Sequence, residues 1–206
     1  MILIGMLDSP YVRRCAVSMK LMGVAFEHRS LSVFRTYAEF SKVNPVVKAP
    51  TLVCDDGTVL MDSTLILDYV ESTVAPGERL MPQAVAPRQA ALRAIGLSLA
   101  ATDKVVSMIY EKEQRPPERR HQAWVDRANG QVKAALDAME PIAAKAQPWM
   151  GGDRMNAADV MAACMWRFIH LRPYTALPAG SYPALAALSQ RAEALAEFAS
   201  FPPDEP

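Results

Sequence analysis

The spacing of apolar residues changes its period once along the chain, near residue 75, and this change restricts the folds available. Up to about residue 73, short strand-like runs alternate with helical ones. Ile2-Leu3-Ile4-Gly5 is a short apolar run that reads as a buried strand. Ser9-Pro10 reads as a helix start, with Ser at the cap and Pro at the first helical position. Val12, Cys15, Ala16, Met19 and Met22 follow at helical spacing, and Gly23 stops the helix. A second strand is expected within 24–31, with Phe26 as its best buried position, and a helix over 35–42 that Asn44-Pro45 ends. Thr51-Leu52-Val53-Cys54, Asp55-Asp56-Gly57-Thr58 and Val59-Leu60-Met61 spell strand, turn, strand. Ser63 then opens a helix with Leu65, Ile66, Tyr69 and Val70 on one side. The order is β-α-β-α-β-β-α.

Residues 73–87 carry Pro76, Pro82, Pro87 and Gly77 and read as a linker. Beyond them only helical patterns occur. One spans 88–112 (Leu92, Ile95, Leu99, Val106, Ile109), and Pro116-Pro117 separates it from a second over 118–146. Asn156 and Asp159 have the spacing of a capping box ahead of Met161, Cys164, Met165, Phe168 and Ile169, and 182–198 supplies one or two final helices. The expected division is a mixed domain over 1–75, a linker over 76–87 and an all-helical domain over 88–206.

Composition narrows the function classes. Hydrophobic residues make up 51% and charged residues 21%, as in ordinary globular chains. Lys plus Arg and Asp plus Glu each total 22, so the basic surplus typical of phosphate-binding proteins is missing, and no nucleic-acid partner is expected. Cys15, Cys54 and Cys164 form no CxxC pair, and His28, His121 and His170 are scattered, so no metal site is expected. Unpaired cysteines suit a reducing compartment. Residues 1–6 lack the basic leader of a signal peptide, and no uncharged apolar run approaches the roughly 20 residues of a membrane helix. The expectation is a cytoplasmic protein with no membrane partner.

A βαβαββα unit followed by an all-α domain resembles the glutathione transferase family, and three motifs in order carry the resemblance. Ser9-Pro10-Tyr11-Val12-Arg13-Arg14 looks like the active-site helix start of serine- or cysteine-type members. Asn44-Pro45-Val46-Val47-Lys48-Ala49-Pro50-Thr51 looks like the segment leading into the cis-proline and third strand. Met61-Asp62-Ser63-Thr64 looks like the acidic-Ser motif that holds the γ-glutamyl end of glutathione. The resemblance implies a thioredoxin-like glutathione-binding domain, glutathione as co-substrate, a homodimer and a detoxifying transferase of alkyl or aryl groups. It also implies roles. Ser9 would donate to the glutathione sulfur, with Tyr11 a second candidate donor or a wall of the electrophile pocket. Ala49 would pair with the cysteinyl amide, Pro50 would be cis, and Lys48 would meet the glycyl carboxylate. Ser63 would meet the γ-glutamyl carboxylate and Asp62 its ammonium. Val47 departs from the family's frequent Gly, and Asp62 from its usual Glu. Asp103 is the weakest of these candidates, reaching the ammonium across a dimer. The electrophile pocket would lie between the domains, with Tyr11, Met108, Trp166 and Phe168 as candidates.

The chemistry requires such groups. A free thiol is only a few per cent thiolate at neutral pH, and the thiolate is the nucleophile. A helix N-terminus stabilises an anion, and each unit of pKa depression corresponds to about 1.4 kcal/mol. One charge-assisted hydroxyl contact, about 1.5–3 kcal/mol, would shift a thiol by one to two units. Without the family, Ser9 reads as a plain helix cap. Cys15 reads as core, and Arg13-Arg14 could favour anionic compounds, although such charge runs usually form solvated faces. The second reading of the whole chain is a non-catalytic binding or scaffold protein of the same fold. A disulfide exchanger would need Cys where Ser9 stands, and a serine hydrolase would need a GxSxG elbow.

Overall fold

The computed structural model describes residues 1–172, 174, 175, 177, 178 and 180–204. The chain divides into two compact units, Met1–Met81 with Glu193–Pro206, and Pro82–Ala192.

The first unit is built on a four-stranded sheet ordered β2-β1-β3-β4. Its strands are β1 (Ile2–Ile4), β2 (Glu27–Arg29), β3 (Thr51–Val53) and β4 (Val59–Met61), and its helices are α1 (Pro10–Leu21), α2 (Tyr37–Val43) and α3 (Ser63–Thr73). β1 lies parallel to β2, with Leu3 opposite His28, and antiparallel to β3, with Leu3 opposite Leu52. β4 closes the sheet antiparallel to β3. This is a thioredoxin-like arrangement. Leu3, Val12, Cys15, Met19, Leu52, Ile66 and Val70 are fully buried at its centre.

Local chemistry explains most boundaries. Ser9 caps α1 and Pro10 occupies its first position. Gly23, with φ +70°, ends it: its N–H donates to the Lys20 carbonyl and the Val24 N–H to the Met19 carbonyl, a Schellman closure. In the β3–β4 turn, Asp56 accepts from the Thr58 N–H, and Gly57 takes φ +85°.

Some sequence expectations need correcting. The second strand is three residues long and lies at the sheet edge. Phe26 precedes it and is half-buried, stacked on Phe201 with ring centroids 5.6 Å apart. In α3 the buried stripe is Ser63, Ile66, Leu67 and Val70, whereas Leu65 and Tyr69 face outward. Arg13 and Arg14 are buried rather than solvated, with 2% and 3% exposure.

The second unit holds α4 (Val85–Glu113), α5 (Gln122–Ala143), α6 (Ala157–Leu171) and most of α7 (Pro183–Glu193). α4 packs on both α5 and α6. α6 is the central helix: 157–165 are buried throughout. Its capping box is complete, with Asn156 Oδ1 accepting from the Ala158 and Asp159 N–H groups and Asp159 Oδ2 from the Asn156 N–H at 2.9 Å. Burial raises the Asp159 carboxyl above its ordinary value, against backbone N–H donors from Met150 and Asn156 that hold it down. Met108 and Phe168, candidates for an electrophile pocket, are 2% and 6% exposed and belong to the core. Trp166 is half-buried against His170 and Tyr182.

The helical pattern does not carry the second unit to residue 206. After Ala192 the chain packs with the first unit, where α8 (Ala196–Ala199) lies against α1. Arg13 accounts for this return. Its Nη1 and Nη2 donate to the Glu193 carboxylate (2.5 and 2.7 Å), and its Nε donates to the Phe201 carbonyl at 2.8 Å.

Candidate functional site

Three segments of the first unit converge around the start of α1. The Ser9 turn follows β1, and Gly5 makes room for the approach. A Cβ built on Gly5 would sit 2.6 Å from Val12 Cγ2 and 3.1 Å from Ala49 Cβ, so a side chain there would separate α1 from the loop before β3. The Gly5 carbonyl also meets His28 Nε2 at 2.8 Å.

Ser9 Oγ accepts from the Val12 N–H at 3.4 Å, beyond the usual range for such a bond. The cap uses the oxygen as acceptor and leaves the hydroxyl proton to be donated elsewhere. Tyr11 is half-buried one residue into the helix.

The second segment is the loop into β3. The Ala49–Pro50 peptide is cis, as the sequence led us to expect. Buried Asn44 organises the loop: Oδ1 accepts from the Val46 N–H, and Nδ2 donates to Thr51 Oγ1 at 2.9 Å. Thr51 Oγ1 donates in turn to the Lys48 carbonyl at 2.7 Å. Val47 has φ +52°, which is unfavourable for a β-branched residue.

The third segment begins α3. Asp62, with φ +73°, is its N-cap, and Asp62 Oδ1 accepts from the Thr64 N–H at 2.9 Å. Among the described residues, Val47 and Asp62 are the non-glycine positions with positive φ, and they lie on adjoining segments: Lys48 Nζ is 4.0 Å from Asp62 Oδ2. Backbone strain of this kind, about 1–3 kcal/mol per residue, collects at functional sites. Ser63 is buried at the first position of α3. Arg14 Nη1 donates to Ser63 Oγ at 3.4 Å, and Cys15 Sγ lies 3.8 Å from the Ser63 carbonyl. The structure therefore brings Ser9, Tyr11, Lys48, Ala49, Pro50, Asp62 and Ser63 onto one unit, with α1 joined to α3 through Arg14 and Ser63, and the loop joined to the cap of α3 through Lys48 and Asp62.

Arg14, which the sequence reads with Arg13 as a solvated face, is a buried neighbour of this cluster. The available signal was its position in the run from Val12 to Met19, whose other members apart from Arg13 and Ser18 are apolar. Asp103 lies on the second unit, beside Lys104, in an open groove of about 740 Å³ that Tyr110 and Trp124 also line. Among the described residues no group of three or more His, Cys, Asp and Glu side chains is placed to hold a metal. No helix among them is long and apolar enough to cross a membrane.

Comparison with known proteins agrees with this geometry. The family described as glutathione S-transferase, N-terminal domain, matches residues 3–78, and that described as glutathione S-transferase, C-terminal domain, matches 122–191. Together they span more than half of the chain, which belongs to the glutathione S-transferase family. A glutathione S-transferase of Methylobacterium radiotolerans, solved in complex with glutathione sulfonate, is 28% identical with a TM-score of 0.86, covering 98% of this chain and 94% of that one. A glutathione S-transferase of Methylobacillus flagellatus, solved with glutathione bound, is 25% identical with a TM-score of 0.88, covering 98% and 99%. The GST-like protein YibF of Escherichia coli (strain K12) is 23% identical over 171 residues, 82% of each chain. Glutathione transferase GST 23 of Zea mays is 30% identical over 79 residues, 38% of this chain and 36% of that one.

Proposed function

We propose that the protein is a glutathione transferase that binds glutathione on its thioredoxin-like unit and activates the thiol for attack on a small hydrophobic electrophile. The observation that carries this reading is the convergence of the Ser9 turn, the cis Ala49–Pro50 loop and the Asp62-Ser63 helix start in a fold whose solved relatives hold glutathione. The Ala49 backbone pairs with the cysteinyl amide of the tripeptide. Ser63 and the N-terminus of α3 receive the γ-glutamyl carboxylate, and the buried Arg14 cation behind Ser63 strengthens that end. Asp62 keeps Oδ2 for the ammonium, since its cap uses Oδ1. Lys48 turns to the glycyl carboxylate, because its exposed pair with Asp62 is worth no more than about 1 kcal/mol.

Ser9 accepts from the Val12 N–H while donating its proton to the sulfur, so capping and activation coexist. The thiol proton passes to solvent, and the sulfur lone pair forms the new C–S bond. The leaving group departs with the electrons of the bond that breaks. Tyr11 is the alternative donor. The protein acts in the cytoplasm as a homodimer: Val46, Val59, Leu65 and Tyr69 expose apolar surface on the first unit, and Leu92 on the second.

A scaffold reading is favoured by one observation, the strained Val47 beside a Lys48 that already faces Asp62. Calorimetric titration with glutathione separates the two. Saturable binding that Ser63→Ala weakens supports the glutathione site, conjugation of an electrophile by the same chain supports the transferase, and absence of binding by the wild-type chain overturns it in favour of the scaffold.

A further inference from the structure

The Ser9 turn is held from both sides by the segment that returns after Ala192. Two residues before Ser9, the Leu7 N–H donates to Asp204 Oδ2 at 2.6 Å. Four residues after it, buried Arg13 is locked to Glu193 and to the Phe201 carbonyl, and its guanidinium lies 5.5 Å from the centre of the Phe198 ring. Phe201 stacks on Phe26, so the segment is fixed between these two anchors as well. The turn's own backbone bonds are the Ser9 N–H to the Met6 carbonyl at 3.2 Å and the Arg13 N–H to the Ser9 carbonyl at 2.9 Å.

We infer that residues 193–204 form a strap that positions Ser9, with Arg13 as its anchor and Asp204 as its clasp. The inference rests on the reading that Ser9 donates to the glutathione sulfur. A carboxylate accepting from a backbone N–H makes a charge-assisted bond, roughly twice as strong as a neutral one. A buried guanidinium is tolerated only when its donors are satisfied, so Arg13 keeps the strap on α1. Catalytic hydroxyls must be held to within roughly 0.5 Å of productive geometry, and the long Ser9 cap cannot do this by itself. Asp204 acts through Leu7 and the Met6–Ser9 backbone bond. It is a positioning residue and does not touch the reacting atoms.

The test uses the full chain with Asp204→Ala and Asp204→Asn, glutathione, and chlorodinitrobenzene as electrophile. Asp204→Ala should lower kcat about 5- to 10-fold, leave the KM for glutathione within about twofold, and speed amide exchange at Leu7 about tenfold or more. Asp204→Asn should restore most of both, because its amide oxygen still accepts from Leu7. Ser9→Ala with Asp204→Ala should be no slower than Ser9→Ala alone, as expected for two residues acting through one group. Unchanged kcat and unchanged Leu7 exchange in Asp204→Ala would overturn the strap. So would an additive loss in the double variant, or an Asn variant as impaired as the Ala one. A wild-type rate in Ser9→Ala would instead overturn the functional reading, and Leu7 exchange would then decide the clasp alone.

Discussion

Arg14 and Ser63 are 49 positions apart in sequence, and both are buried where the Arg14 guanidinium donates to Ser63 Oγ at 3.4 Å. The pair joins the second turn of α1 to the first turn of α3. It thereby connects the segment proposed to activate the thiol with the segment proposed to hold the far end of the tripeptide. Ser63→Ala should raise the dissociation constant for glutathione about 10- to 100-fold, the loss of one hydrogen bond to a charged group. The turnover number at saturating glutathione should change less than about threefold. Calorimetry and initial rates together check this, and a reversed pattern would place Ser63 in the chemical step.

Val47 has φ +52° with a β-branched side chain, in a loop otherwise fixed by Asn44 and Thr51. Val47→Gly removes left-handed strain of about 1–2 kcal/mol and loses about 0.4–1 kcal/mol through the freer unfolded chain. The variant should be at least as stable as the parent, by up to about 1.6 kcal/mol in urea denaturation. A clear destabilisation would mean that Val47 contributes packing that outweighs its backbone.

The capping box of α6 should be expensive to break. Asn156→Ala should cost about 1 kcal/mol, as cap removals do. Asp159→Ala should cost more, because the buried Asn156 N–H and the Met150 N–H both lose their acceptor, at about 1–3 kcal/mol for a group left unsatisfied. Thermal or urea unfolding of the two variants orders them.

Tyr182 donates to Asp137 at 2.8 Å, and burial followed by this bond and the Asp137 charge pushes its phenol up to about 12. A phenol raised in the folded state favours folding fully below its unfolded value near 10, and that contribution is lost as the pH rises toward 12. Stability should therefore fall over this window. Tyr182→Phe should remove this part of the fall and lose about 1.5 kcal/mol at neutral pH. Denaturation at several alkaline pH values, with the phenolate followed by ultraviolet absorbance, measures both.

Local signals made much of the first unit legible. Ser9-Pro10, Gly23 and Asp56-Gly57 there, and the Asn156–Asp159 spacing in the second unit, each satisfy backbone groups within a few residues, so the sequence shows cause and effect together. What was not legible depends on distant partners. Phe26 read as the buried centre of a longer strand, but it stacks on Phe201, which no local window contains. Arg13 read as solvated because its partner Glu193 lies 180 positions away. The same pair explains why the chain after Ala192 groups with the first unit. In α3 the apolar face is wide, and only packing decides that Ile66 and Val70 turn inward while Leu65 and Tyr69 do not. For the site, the motif residues were legible through the family pattern. Arg14 beneath Ser63 and Asp204 on Leu7 emerge only from the folded chain.

The most direct test of the account is the pH dependence of glutathione conjugation in Ser9→Ala. On the proposed reading, the hydroxyl acts on the charge of the sulfur, and the tripeptide is held by Ser63, Asp62 and the Ala49 backbone. Removal of a charge-assisted bond of about 1.5–3 kcal/mol should slow turnover roughly 10- to 150-fold. The dissociation constant for glutathione should stay nearly unchanged. The rate-versus-pH curve should move to higher pH, because more alkali is needed to ionise the bound thiol. An unchanged rate and an unchanged pH profile would contradict the account, leaving Ser9 a helix cap and the helix terminus or Tyr11 to activate the sulfur.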